Sequence, residues 1–199
     1  MSDTAAQPTD GRAARSYRAR LAVADALLDL VTEGVEKPTA AQIAERAGVS
    51  LRLVFHHFED LESIYAAAAD RQLERLRSMI KEIDPQLPFE KRLALFVRNR
   101  AKIFEYVSPV RRASLRLEPS SPEVKRRMRH AYEIARDQAF RAFSSEIAAF
   151  APNESADTTS ALDAASSWEM WDFLRRRAGL SERQASRVLE RAIRALLGH

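Results

Sequence analysis

Along this chain apolar side chains recur every three to four positions, the spacing that lines one face of an α-helix. Leu21, Ala24, Ala26, Leu27, Leu28 and Val31 make the first such stripe, and Gly34 closes it. Thr39 followed by Gln42 is a capping box, which starts a second helix with Ile43, Ala44 and Ala47 as its buried stripe. Gly48 permits the left-handed backbone of a sharp turn, and Ser50 caps a third helix directly after it. Two short helices joined this tightly must cross at a large angle, and the small Ala44 lets them approach, as in a helix-turn-helix. Glu59, Asp60 and Glu62 supply the acidic first turn of a fourth helix, expected to run to about Glu82.

Prolines punctuate the rest. Pro85 and Pro88 end the fourth helix, and Phe89–Val107 restarts, with Phe89, Leu93, Phe96, Val97 and Phe104 at core spacing. Pro109 and the PSSP of residues 119–122 bracket a short element over Val110–Leu117. A long helix is expected over Glu123–Phe150, then a linker at residues 151–155, then a helix from Ser155 or Asp157 that ends at Gly179. Ser181, with Glu182 in the first turn, starts the last. The pattern predicts an all-α protein of about nine helices. Its expected parts are a disordered tail over residues 1–14, a three-helix helix-turn-helix head over 15–62 and a larger helical body over 63–199.

Composition supports this and narrows the chemistry. Only five glycines and eight prolines interrupt 199 residues, 46% of them hydrophobic, enough for a real core. With no cysteine there is no disulfide and no thiolate nucleophile, and a zinc site would have to use His and carboxylates. No stretch free of Asp, Glu, Lys and Arg exceeds seven residues, which excludes a transmembrane helix and a signal-peptide core; a soluble, cytoplasmic protein is expected. Gly-rich phosphate loops, paired metal ligands and nucleophile motifs are missing, so neither an enzyme nor a cofactor is expected. The net charge of +4 decides nothing, because residues 1–60 carry seven Arg/Lys against nine Asp/Glu. Placement matters more: Arg12, Arg15, Arg18 and Arg20 crowd residues 11–20 with no acid among them. They form either a solvated tail or an arm that neutralises phosphates.

The stretch SLRLVFHHF, residues 50–58, sets two of the four histidines side by side. On a helix each residue advances by about 100°. Leu51, Val54 and Phe58 then share one face, Arg52, Leu53 and His56 point the opposite way, and Phe55 and His57 lie on the flanks. Adjacent histidines diverge and cannot chelate one ion, which needs spacings of three or four. No metal site is expected there. Taken together, AQIAERAGVSLRLVFHHFEDLESIY resembles the DNA-binding signature of the tetracycline-repressor (TetR) family of regulators. That signature has a small-residue-rich helix, a Gly-Val-Ser turn and a short recognition helix ending in an aromatic, one residue, His and Phe.

The resemblance implies a transcriptional regulator that binds a palindromic operator as a homodimer, most often a repressor released by a small apolar or amphipathic effector. DNA contacts would come from Arg15, Arg18, Thr39, Ser50, Leu51, Arg52, Leu53, Phe55, His56 and His57. Arg52 and His56 would face the major groove, where arginine pairs with guanine O6 and N7. His57 either touches a backbone phosphate or bonds a local carbonyl. Phe55 replaces the family's frequent Tyr, Leu53 its Thr, and Leu61 its phosphate-binding Lys. For the dimer interface the last two helices offer Ala164, Trp171, Leu174, Val188, Leu189, Ala192, Ile193 and Leu196, unless these pack on their own body. A ligand pocket in the body would draw on Phe96, Phe104, Tyr106, Met128, Tyr132 and Trp168, with Arg100 and Arg116 for an anionic group, unless the aromatics are simply core. The alternative is a DNA-binding dimer that answers only to its abundance or to a protein partner.

Overall fold

The computed structural model describes residues 11–77, 79 and 81–199, and these form helices and no strand. The helices are α1 (Gly11–Thr32), α2 (Ala40–Ala47), α3 (Leu51–His57), α4 (Leu61–Arg77), α5 (Phe89–Ser114), α6 (Pro122–Ala142), α7 (Ser144–Ile147), α8 (Pro152–Ala165), α9 (Trp168–Asp172) and α10 (Glu182–Leu196). A π-helical turn, Phe173–Arg177, continues α9. None of the described helices is long and apolar enough to cross a membrane. Residues 1–10 of the expected tail lie outside the described residues, and 11–14 are the first turn of α1.

The chain divides into two compact units, and the divisions fall inside α4, α5 and α6. The first unit comprises the chain through Arg75 together with Pro109–Lys125. Its core gathers Leu27 of α1, Ile43 and Ala44 of α2, Val54 of α3, Phe58, Ile64 and Ala68 of α4, and Val110 of α5. α1 packs on both α2 and α3. Asp25 of α1 receives Arg71 at 3.1 Å and Arg75 at 2.6 Å, both from α4. The Arg46 fork reaches both carboxylate oxygens of Glu33 at 2.7 Å. Such half-exposed pairs contribute little energy but fix geometry.

The second unit holds Leu76–Ser108 and Arg126–His199. Phe96, Val97 and Phe104 of α5 pack with Ala139, Phe143, Leu162, Trp171, Leu189 and Ile193. Arg92, itself buried, donates to both oxygens of Glu146 and to the carbonyls of Leu87 and Ala142.

Several element boundaries differ from the sequence reading, each for a physical reason. α5 runs through Pro109 to Ser114 rather than stopping before it. Proline removes one helical N–H, but Phe104 before it and Val110 after it are both buried, and that burial outweighs the one lost bond. α6 and α8 start at Pro122 and Pro152, because proline at the first helical position loses nothing. Between α8 and α9, the Ser167 hydroxyl accepts from the Met170 N–H, so the one long helix expected there is two. α6 likewise ends at Ala142, and α7 follows.

Candidate functional site

The α2–turn–α3 segment is fixed by three local devices. Thr39 and Gln42 form the reciprocal capping box. Gly48 takes φ +66°, and its N–H together with that of Val49 closes the end of α2 on the carbonyls of Ala44 and Glu45. Ser50 accepts from the Leu53 N–H at 3.2 Å and starts α3. At the other end Arg20 of α1 donates to the His57 carbonyl, with its guanidinium 4.6 Å from the centre of the Phe58 ring. Arg20, an arm residue by sequence, therefore caps α3.

This mounting decides which side chains α3 offers. Val54 and Phe58 are buried as expected. Leu51 is not: in the first turn of α3 it is 43% exposed, and Leu53, expected to point outward, is half-buried. The outward arc is Leu51, Arg52, Phe55 and His56, with Phe55 52% exposed. His57 is half-buried, its ring 5.1 Å from that of His56 and tilted 60° to it. Among the described residues its ring bonds no local carbonyl, and no group of three or more His, Cys, Asp or Glu could hold a metal. Burial, then His56, then Arg20 hold the His57 pKa below the ordinary histidine value. Thr39 and Ser50 are exposed but spend their hydroxyls on caps. Arg15 and Arg18 lie exposed on the first turns of α1, with exposed Tyr17 between them.

In the second unit Phe96, Arg100 and Phe104 share one face of α5, and the Arg100 guanidinium lies 4.7 Å from the Phe96 ring centre and 5.7 Å from that of Phe104. Arg100 donates to the Ala135 carbonyl and, at 3.4 Å, to the Gln138 side-chain oxygen. Its Nε is buried without a partner among the described residues. Burial lowers its pKa to about 10, with Asp163 pulling the other way.

No protein-family model and no curated protein sequence matches this chain. Solved structures do. A TetR-family transcriptional regulator from Streptomyces coelicolor aligns with 89% of this chain and 81% of its own at a TM-score of 0.69 and 19% identity. The chain has the TetR-family fold. A transcriptional regulator from Rhodococcus sp. Rha1 aligns at 0.62 and 20% identity, over 90% of this chain and 96% of its own. The multidrug binding protein EbrR, complexed with imidazole, aligns at 0.57 and 17% identity, over 87% and 94%.

On this TetR-type fold the remaining sequence candidates separate. Arg116 lies in the first unit, where it donates to the backbone and carboxylate of Glu36. Trp168 is buried, its indole N–H 3.0 Å from the Ser108 hydroxyl, while Tyr132 is exposed and donates to Glu169. Tyr106 and Met128 are half-buried. Of the dimer candidates, Trp171, Leu174, Leu189 and Ile193 belong to the unit's own core. Ala164 and Val188 are exposed, and Ala192 and Leu196 half-exposed. The partnerless Nε of Arg100 is not visible in the sequence. It depends on tertiary packing, which brings two aromatic rings but no ion-pair partner to the guanidinium among the described residues.

Proposed function

We propose that this chain is a DNA-binding transcriptional regulator, a homodimer on a palindromic operator that represses until a small molecule releases it. What supports the reading is the exposed arc Leu51–Arg52–Phe55–His56 on a short helix held at both ends by Ser50 and Arg20. An α-helix offered this way fits the major groove, where Arg52 can fork onto guanine and Phe55 can meet a thymine methyl. Arg15 and Arg18 then serve phosphates, giving affinity without sequence. Half-buried Leu53 and His57 lie at the edge of this surface, His57 within reach of a phosphate. A small-molecule effector is in keeping with the ligand-binding relative EbrR.

Selection of bound sequences from random duplex DNA tests this. A palindrome with half-sites about one helical turn apart is expected, and failure to enrich any motif overturns the proposal. On the selected site Arg52→Ala should lose about 1–3 kcal/mol and relax preference at one base pair. Equal loss on unrelated DNA would deny Arg52 a base-reading role.

A further inference from the structure

Arg92 and Arg100 stand about two turns apart on α5, 4% and 3% exposed, yet their surroundings are opposite. Arg92 is fully matched: a bidentate carboxylate and two carbonyls surround it, and its pKa is raised, chiefly by the hydrogen bond to Glu146. Arg100 has five N–H donors and two hydrogen bonds, one of them long. No carboxylate lies within ion-pair distance among the described residues, and Asp163 acts on it only from further away. Two aromatic faces soften the charge without satisfying the donors. A guanidinium taken from water and paired this incompletely costs free energy, because buried charge is tolerated when paired and hydrogen-bonded. A structural pin would be built as Arg92 is.

We propose that Arg100 is the receptor for the carboxylate of the effector, an organic monoanion whose apolar body lies against Phe96 and Phe104. This rests on the regulator reading above and names its ligand class. The anion's oxygens take Nε and the spare terminal N–H groups, in the fork geometry that suits a carboxylate. A single charge fits better than a phosphate dianion, since Arg100 has no second cation acting on it and Asp163 would oppose more negative charge. Phe96 and Phe104, one turn to either side of Arg100 and part of the unit's buried core, are the apolar rings beside the guanidinium against which the ligand's body would pack.

The test uses the full chain and two probe pairs, decanoate with decanol and 4-phenylbutyrate with 4-phenylbutanol, read by calorimetry and by Tm. At least one acid should bind wild type about tenfold or more tighter than its alcohol, as the loss of a charge-assisted hydrogen bond predicts. Arg100→Met should abolish that preference while melting, without ligand, at or above the wild-type temperature, because the variant removes a partnerless buried charge. A structural role would instead lower the ligand-free Tm. If R100M does not fold, Arg100→Lys decides: it keeps the charge but loses the fork, so acid affinity must fall while acid still outbinds alcohol. Acids that bind no better than alcohols, acids that do not bind at all, or R100M that binds them unchanged would each overturn the proposal. Operator binding is measured separately. Acid binding without any operator sinks the regulator reading alone, and an operator without acid binding sinks this one alone.

Discussion

His57 is a histidine whose neighbours all favour its neutral form. Its ring is half-buried, His56 stands edge-on at 5.1 Å, and Arg20 reaches its carbonyl. Burial first, then the two neighbouring charges, lower its pKa in the folded chain. The unfolded chain, with an ordinary histidine value near 6.5, therefore binds this proton more readily. Stability from His57 is whole above that value and is lost as pH falls below it. His57→Gln should flatten part of the decline in Tm between about pH 7 and pH 5, relative to wild type. An NMR titration of the His57 ring should have its midpoint below 6.5 without DNA and move upward on the operator, as a phosphate favours the cation. A midpoint unmoved by operator would separate His57 from the phosphates. At this scale the sequence was legible where one helix period decided the matter, as for Val54 and Phe58. It misleads for Leu51 and Leu53, because α3 has seven residues and its packing on α1 and α2 sets the buried side, not the wheel alone.

Among the elements, the turn between α2 and α3 carries the most information per residue. Gly48 sits at φ +66°, and a Cβ placed there meets nothing within 4 Å. Substitution is therefore penalised by the backbone and not by a clash. Gly48→Ala should cost about 1–2 kcal/mol in urea unfolding, and Gly48→Asn clearly less, since Asn tolerates the left-handed region. Equal loss in both variants would mean that something other than backbone conformation governs the turn. This element was readable from sequence because every device in it is local: Thr39 with Gln42, Gly48, and Ser50 with the Leu53 N–H. Pro109 departs from its local rule for the complementary reason. Its local rule says break, but buried residues on either side hold α5 continuous, and those contacts join distant parts of the chain. Arg100 belongs with Pro109: composition shows an arginine among aromatics, and only packing reveals that no carboxylate among the described residues comes to meet it.

For the molecule as a whole, the proposed operator symmetry demands a second copy, and α10 is where one would dock. Its Ala185, Leu189 and Ile193 are buried in the unit's own core, so half of the apolar surface read from sequence is already used. Val188, Ala192 and Leu196 repeat at four-residue intervals about 100° around the helix from that buried stripe, and Val188 remains 37% exposed. Phe173, in the π-helical turn that follows α9, is 52% exposed. An isologous interface uses the same patch on both copies, so a charge placed at its centre meets its own image. Val188→Glu should therefore sediment as a monomer at concentrations where the wild type is a dimer. It should keep the wild-type Tm when both are compared as dilute monomers, because an exposed valine adds little to its own core. Operator affinity should drop to that of a single half-site, with Arg52-dependent base preference intact. A variant that stays dimeric would place the interface elsewhere on the molecule, and a wild type that is monomeric at every concentration would remove the palindromic geometry from the proposal.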